Sequence, residues 1–584
     1  MTATLDRASA SLAPGRPPAS PIAPPRRRVS GARVAGWLAI AALLGFGVYS
    51  IGGLGLDASY LAHASAKLSQ FFGQTSNTIT FPSPADLAYL TGLTLGVVVL
   101  GTLVAALISV PIAYLAAANT APAPWLRWLG RAIGVVTRAV PDVVLAFSVS
   151  LMFALGSTIP GVIAIGIHSI GMISKLFADA IEQIDEGPRT AIRAAGGSPA
   201  QQFWAGVFPQ VLPAWIATVL HRFDINVRGS VILGYAGVGG LGYRMNLDFQ
   251  RFPEGFGPAL GIAIVIFLLC VVTEVIASTI RVMLLGVTPT RRTLGETLMR
   301  RLRHGGRSRD VVSETLAQVD LTVEKAMRRP WSRSRISNTV WAWIGVAVVV
   351  GGFVMSRLDP RQITWNYVWS TMKSFWPPSL GAYDIGTYVT AIEQTLEMAF
   401  AAALLTFVFS LIFGPLAARN VAPSRWIRAT SRVFLVIFRG VPELVLAIVL
   451  IIITGLGPEA GVLALAFGGI GLLGKLIADS FEEVDAGPEQ AVRATGAGRL
   501  QVFGSATLPQ GLPSLLGNTL YLLDTNIRSA TVLGIVGAGG IGYYLTLAAG
   551  LTATHPIVTA IIGIVIVMVL IVEGLSSFLR HTFQ

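Results

Sequence analysis

Long apolar segments recur along the whole chain and constrain its fold more than any other feature. About 20 consecutive apolar residues form a helix long enough to cross the hydrocarbon core of a bilayer. The sequence therefore predicts an all-α, polytopic integral membrane protein with roughly twelve transmembrane helices. The fifth window of each half is too long and too rich in glycine for one straight helix, so we expect a bend or a re-entrant stretch there. The windows lie near 34–54, 89–118, 139–156, 159–177, 207–245 and 258–286 in the first half, and near 338–356, 391–418, 440–455, 460–477, 507–545 and 556–579 in the second.

The charge content excludes a soluble multidomain protein. Only 12% of the 584 residues are charged, about half of the roughly 25% typical of soluble domains. The formal net charge of +13 lies mainly in two polar stretches, 1–33 and 287–337. The charge is therefore a signal of topology, and we expect no nucleic-acid partner.

Lysine and arginine are divided unevenly between the two sets of loops. If the amino terminus is cytoplasmic, 33 of the 43 basic residues lie on the cytoplasmic side and 5 lie in the opposite loops. Because cytoplasmic loops carry the excess of basic residues, we predict a cytoplasmic amino terminus. Residues 1–33 are predicted to be a disordered basic cytoplasmic tail, and residues 287–337 a basic cytoplasmic linker.

The chain is a tandem duplication with a spacing of about 300 residues. The segment GMISKLFAD at 171–179 recurs as GLLGKLIAD at 471–479. Six windows per half is an even number, so both halves face the same way across the membrane. We predict a first half at 34–286 and a second half at 338–584, with a pathway between them.

A polar segment between the fourth and fifth windows repeats its helix-breaking residues in both halves. Gly-Pro is predicted to end one helix and begin a short one, because proline is favoured at the first helical position. We interpret this segment as a docking element for a cytoplasmic partner; the alternative is a solvated loop with two turns of helix. The residues shared by the two loops are Gly187, Pro188, Ala191, Arg193, Gly196 and Pro209 in the first copy and Gly487, Pro488, Ala491, Arg493, Gly496 and Pro509 in the second.

These loops resemble the EAA loop of ABC-importer permeases. The conserved glycine of that loop falls on Gly196 and Gly496, and the closing proline on Pro209 and Pro509. The glutamate position of the pattern holds Thr190 in the first copy and glutamine in the second. The resemblance implies that each loop docks in a groove of an ATPase subunit.

The whole chain resembles two phosphonate-type ABC permeases fused end to end. This resemblance depends on Asn-x-Arg at 226–228 and 526–528, each leading into a GxGGxGY run, and on Arg-x-x-Pro at 138–141 and 439–442. It implies two tandem type I ABC permease halves in the bacterial plasma membrane, with a phosphonate or related phosphorus oxyanion as cargo. It also implies two cytoplasmic ABC ATPase subunits, which hold ATP and Mg, and an extracytoplasmic phosphonate-binding protein.

Two arginines within the predicted spans are candidates for the substrate pathway. Arg228 and Arg528 are costly to insert, by about 2.5 kcal/mol or more, and a guanidinium matches a tetrahedral oxyanion well. Aspartates four residues earlier are within helical reach and offer an internal ion pair instead. The sequence leaves both interpretations open for the candidate set Asn226, Arg228, Asn526, Arg528, Asp224 and Asp524.

The Arg-x-x-Pro segments predict helix starts. Proline and the following acidic residue suit a first helical turn, and we expect Arg138 and Arg439 to remain at the basic cytoplasmic face. The carboxylates within the spans, Glu274, Glu397 and Glu573, have no counterparts at the repeat spacing. The alternative function, an ATP-independent secondary transporter or channel for small anions, is expected to have carboxylates or other proton-relay groups in its spans.

No catalytic, metal or nucleotide site is predicted within the chain. The segment 469–475 nearly spells a phosphate-binding loop, but Leu476 stands where a serine or threonine is needed to bind magnesium. We therefore expect the chain to be no enzyme by itself and to depend on partner subunits for ATP.

Overall fold

The computed structural model describes residues 31–56, 58–75, 79–251, 254–285, 333–359, 363–549 and 552–583, which form helices and short turns without a strand. The predicted tail, 1–33, and linker, 287–337, lie almost wholly outside these residues. The helices are α1 Gly31–Gly53, α2 Ala58–Thr75, α3 Pro84–Ala116, α4 Pro124–Ala139, α5 Asp142–Ser150, α6 Ile159–Glu182, α7 Glu186–Ala194, α8 Pro199–Tyr235, α9 Leu241–Phe249, α10 Phe256–Leu285, α11 Arg333–Ser356, α12 Trp365–Ser374, α13 Ile385–Ala417, α14 Arg425–Gly440, α15 Glu443–Thr454, α16 Pro458–Glu482, α17 Ala486–Ala494, α18 Arg499–Ala538, α19 Gly540–Ala549 and α20 His555–Phe583.

The all-α, polytopic architecture is confirmed. Eight of these helices are long and apolar enough to cross a membrane, and the number rises to eleven if each bent pair is one span. The window near 34–54 coincides with α1, a helix of 23 residues. The helix of the fifth window is interrupted in both halves, as predicted; in the first half the break lies between Tyr235 and Leu241. In the second half, α18 and α19 meet at 57°, where Gly537 and Gly539 have φ of 108° and 85°.

A second type of bend was missed by the sequence analysis. Residues 119–138 lie between two predicted apolar windows, yet most of them form α4, which meets α5 at 75°; α14 and α15 meet at 76°. The apolar residues of α4 occupy one face only, so they do not form a continuous hydrophobic window. Pro141 caps α5 and Pro442 caps α15, which confirms the predicted helix starts.

Glycines of the repeated GxxxK segment bring α4 against α6 and α14 against α16. A Cβ on Gly171 would lie 2.5 Å from the carbonyl oxygen of Gly134, and one on Gly471 would lie 2.4 Å from the backbone nitrogen of Arg439. Any residue with a Cβ at these two positions would therefore prevent the close approach of the helices. The repeat at 171–179 and 471–479 thus encodes the packing of the bent helices.

The two halves are intertwined. Helix α1 packs on α13 of the second half, where the rings of Phe46 and Phe400 lie 4.9 Å apart edge to face. Helix α11 packs on α3 of the first half, and the hydroxyl of Thr158 donates to the carbonyl oxygen of Ser356 at 2.8 Å. Each half therefore covers the first helix of the other half.

The short helices α5 and α15 also bury side chains in the opposite half. Val144 packs in a cluster with Ile541 and Val565 of the second half. Val445, its counterpart in the repeat, packs in a cluster with Val97 and Ile262 of the first half. The bends at residues 140 and 441 therefore build the contact between the halves.

Candidate coupling loops and translocation pathway

The predicted docking loops form short helices with the same caps in both halves. The carboxylate of Asp185 accepts from the backbone nitrogen of Gly187 at 2.9 Å, and Asp485 does the same for Gly487 at 3.0 Å. Because an aspartate caps each helix, α7 begins two residues before the predicted start at Pro188. Both helices end at a glycine in the left-handed region, with φ of 80° at Gly196 and 82° at Gly496, as helix termini favour.

The surface of these loops is open to a partner. All twelve predicted docking residues are exposed: Gly187, Pro188, Ala191, Arg193, Gly196 and Pro209 in the first copy and Gly487, Pro488, Ala491, Arg493, Gly496 and Pro509 in the second. The loops lie together with the ends of α3, α6, α13 and α16, and we call this end of the helical bundle the loop end.

A glutamate at the last residue of α6 fastens the loop end, and its counterpart does the same on α16. Glu182 accepts from the backbone nitrogen of Ala118 at 2.7 Å and pairs with Arg131 of α4 at 3.1 Å. Glu482 accepts from the backbone nitrogen of Arg419 at 2.7 Å and pairs with Arg432 of α14 at 2.8 Å. The bent helices are thus tied to the helices that lead into the docking loops.

A second contact attaches the docking helices from different sequence positions. Asn119 donates to Glu186 at 2.8 Å, and Asn420 donates to Glu489 at 2.8 Å. Glu186 has an alanine at its repeat position, and Glu489 has an arginine at its own. The asparagine–glutamate hydrogen bond is therefore preserved although the glutamate has moved by one helical turn. The repeat spacing of the sequence alone could not reveal this contact.

The pathway candidates of the first half lie in a cluster of four charges. Arg228 pairs with Asp224 and with Glu274, at 3.2 Å in each case. Arg439 of the second half approaches the same two carboxylates, at 3.7 Å to Asp224 and 3.4 Å to Glu274. Asp224 is 4% exposed and the other three side chains are 19–27% exposed. The cluster holds two positive and two negative charges.

The candidates of the second half form a similar internal pair, between Arg528 and Asp524 four residues earlier. A separate pair joins Arg138 of the first half to Glu573 of α20. These four side chains are 14–19% exposed. The internal pairs that the sequence offered as one alternative are therefore present, and in the first half an arginine of the other half approaches the same aspartate.

Two features of these residues differ from what the sequence suggested. Arg138 and Arg439 do not lie at the loop end, because α4 and α14 run into the bundle: Arg138 packs beside Gly171, eleven residues or about 16 Å along α6 from the loop end. Glu274 and Glu573 are matched between the halves, at a spacing of 299. A shift in the repeat spacing near the carboxyl end of each half concealed this match.

Comparison with known proteins decides the family. Residues 109–280 and 407–582 match the sequence model of binding-protein-dependent transport system inner membrane components. The chain belongs to this family. The model matches once in each predicted half, so this permease is a fusion of two units, which confirms the resemblance to ABC-importer permeases.

Two curated relatives extend the comparison. The permease is 39% identical over 506 residues to the phosphate-import permease protein PhnE of Mycolicibacterium smegmatis, which covers 85% of this chain and 86% of that protein. It is 37% identical over 208 residues to the phosphite transport system permease protein PtxC of Stutzerimonas stutzeri, which covers 36% of this chain and 74% of that protein.

The two asparagine candidates of the permease lie in unlike surroundings. The amide of Asn226 donates to the hydroxyls of Thr102 at 2.9 Å and Ser169 at 3.2 Å, and Ser169 also accepts from Arg222 at 3.0 Å. The repeat positions of Thr102, Ser169 and Arg222 hold alanine, glycine and leucine. The amide nitrogen of Asn526 is buried without a partner among the described residues. The polar network therefore belongs to the first half alone.

The glycine runs after these residues form turns between helices. Gly156 donates its backbone nitrogen to Gly237 at 2.8 Å, and the backbone nitrogens of Leu241 and Ile541 donate to threonine hydroxyls of α3 and α13 at 2.9 Å each. The segment 469–475 lies inside α16. In the described part of the permease, no group of three or more His, Cys, Asp or Glu side chains is placed to hold a metal ion.

Proposed function

We propose that this chain forms the complete translocation pathway of an ATP-driven importer for a phosphonate or a related phosphorus oxyanion. Two units of the inner-membrane component family are joined in one chain, and a relative that matches most of the chain carries phosphate import in its name. The observation that carries the proposal is the pair of docking loops, which share their caps, their exposure and their attachment to the bent helices.

Each docking loop receives one cytoplasmic ABC ATPase subunit, and ATP and Mg are held by those subunits. The loop end then faces the cytoplasm of a bacterial cell, and the amino terminus lies on the same side, as the distribution of lysine and arginine supports. An extracytoplasmic phosphonate-binding protein delivers the cargo at the opposite end. The chain itself hydrolyses no ATP.

The structure supports a path along which ATPase movement reaches the pathway. Helix α4 is tied to the loop end by the pair of Arg131 with Glu182, and it carries Arg138 at the contact with the second half. Movement of a loop therefore displaces the bent helix, and the bent helix displaces the opposite half. The two halves rock against each other, and access changes from one side of the membrane to the other.

Arg228 and Arg528 attract the anion or hold it transiently. Both are partly accessible, at 19% and 18%, and each is paired with at least one carboxylate. Lysine keeps the charge but loses the two-pronged geometry. Arg228→Lys combined with Arg528→Lys is expected to reduce uptake of phosphonate, phosphite or phosphate more than tenfold; unchanged uptake would refute this role.

The proposed partnership is tested by co-purification. Full-length chain expressed with its cognate ABC ATPase subunit is expected to retain that ATPase through affinity purification. Deletion of residues 186–200 and 486–500 is expected to abolish retention while the chain remains in the membrane. The matched control deletes the exposed helix α12, on which no partner is proposed; retention lost equally in both deletions would contradict the docking role.

A further inference from the structure

Helices α4 and α14 each carry two arginines that are seven residues apart. Seven residues make two helical turns, so the two Cα atoms lie on one face and about 10 Å apart. The earlier arginine of each pair contacts its own half, Arg131 with Glu182 at 3.1 Å and Arg432 with Glu482 at 2.8 Å. The later arginine of each pair contacts the opposite half.

The cross-half pairs are related by the duplication. Arg138 of the first half pairs with Glu573 of α20, and Arg439 of the second half approaches Glu274 of α10 at 3.4 Å. The arginines are matched at a spacing of 301 and the glutamates at 299. Both pairs have been kept in equivalent places, whereas the polar network around Asn226 has not.

The pairs are poorly hydrated and electrically balanced. The four side chains are 15–27% exposed. Withdrawing Arg138 from Glu573, or Arg439 from both Glu274 and Asp224, takes an arginine away from its carboxylates in a low-dielectric site, which is unfavourable. Together the pairs hold the halves closed at this depth of the bundle. Any change of access that separates α4 from α20 and α14 from α10 has to break them.

We propose that Arg138 and Arg439 are positioning residues of an inter-half latch, formed by the pairs Arg138–Glu573 and Arg439–Glu274, that opens each time the pathway changes access. The arginine seven residues earlier on the same helix connects each part of the latch to the docking loop. This inference concerns switching and does not depend on which anion is carried. The rival is a static staple that stabilises the fold and never opens.

A buried cysteine beside the latch can report whether the latch is open. Cys270 is the one cysteine of the chain, lies one helical turn before Glu274 on α10, and is 1% exposed. Phe267, three residues earlier, packs against the opposite half: a Cβ on Gly440 would lie 2.6 Å from its ring. Separation of α10 from α14 therefore uncovers this thiol.

The test measures the rate at which a small maleimide labels Cys270 in the full-length chain in liposomes. Arg439→Gln is expected to raise the rate at least about tenfold, equivalent to ~1.4 kcal/mol in favour of the open state. Arg138→Gln, which removes the part of the latch on α20 rather than on α10, is expected to raise it as well. A rate within about twofold of the wild type for Arg138→Gln overturns the proposal.

Two further variants distinguish opening of the latch from a general destabilisation of the fold. Arg244→Gln removes an ion pair with Asp248 inside the first half, at 3.1 Å, and is expected to leave labelling unchanged; an equal rise would contradict the latch. If Arg138→Gln fails to fold, the charge exchange Arg138→Glu with Glu573→Arg replaces it. The exchange is expected to restore slow labelling, and persistently fast labelling relative to the wild type counts against the pair.

A final experiment, which rests on the proposed function, distinguishes a latch that opens during transport from ion pairs that stay closed. In the wild-type chain assembled with its ATPase, labelling of Cys270 is expected to rise during ATP turnover. Constant labelling while ATP-driven uptake proceeds refutes the latch and leaves the transport proposal intact. Failure of the transport proposal is visible separately, as absence of ATP-driven uptake.

Discussion

The two halves agree at the loop end and differ in their interiors. At the loop end, the glutamates that close α6 and α16 accept the same backbone nitrogen and pair with the same arginine of the bent helix. In the interior, Asn226 donates to two hydroxyls, whereas the equivalent amide nitrogen of Asn526 has no partner among the described residues.

This difference shows which contacts the duplication has retained. The contacts at the docking loops and between the halves are alike in both copies. This holds even where the glutamate that accepts from the asparagine is Glu186 in the first copy and Glu489 in the second. Inside each half, the same space is filled by polar side chains in one copy and by Ala403, Gly469 and Leu522 in the other. The pathway between the halves is therefore symmetric in its framework but not in its chemistry.

The largest expected effect at the loop end is from the better buried glutamate. Glu482 is 14% and Arg432 is 22% exposed, so Glu482→Gln removes a carboxylate charge from a poorly exposed ion pair at a cost of about 3 kcal/mol. Glu182 and Arg131 are 32% and 53% exposed, and Glu182→Gln is expected to cost about 1 kcal/mol or less. Thermal unfolding of the detergent-solubilised chain measures both; equal losses would show that burial does not set the difference.

The interior comparison predicts an intermediate effect. Asn226→Leu removes the donor shared by Thr102 and Ser169 and is expected to destabilise the chain by about 1–3 kcal/mol. Asn526→Leu removes a buried amide nitrogen that lacks a partner and is expected to change stability little. The same unfolding assay compares the two variants. A larger loss for Asn526→Leu would contradict the asymmetry of the two interiors.

The smallest expected effect falls on the ends of the docking helices. Gly196→Ala and Gly496→Ala each place a side chain at φ near 80°, with no atom within 4 Å of the added Cβ. The cost is therefore conformational and about 1 kcal/mol in each loop. Hydrogen exchange of the α7 and α17 amides is expected to accelerate equally, and an effect in only one loop would show that the two caps are not equivalent.

Much of the fold followed from the sequence because its signals are local. Apolar windows predict spans, and Gly187-Pro188, Gly196 and their copies predict a short helix between two breaks. The duplication placed Arg228 and Arg528 in equivalent positions. These features depend on hydrophobicity and backbone preference, which the chain shows without tertiary information.

The rest depends on contacts between distant segments. The amphipathic α4 has no continuous apolar window, so its role as half of a bent span and the position of Arg138 inside the bundle were missed. The match of Glu274 with Glu573 was hidden by the altered spacing of the repeat. The exchange of α1 and α11 between the halves leaves no periodic signal, because each helix is apolar enough to pack on either half.

Uptake into reconstituted liposomes shows whether the chain is the permease of an ATP-driven importer. The full-length chain is reconstituted with its cognate ATPase subunits facing the lumen. ATP is enclosed in the lumen, and the binding protein and labelled phosphate, phosphite or methylphosphonate are added outside. At least one of these anions is expected to accumulate against its gradient, in a manner that depends on ATP and is lost without the ATPase. Uptake at an equal rate by the chain alone, without ATP, would contradict the proposed function.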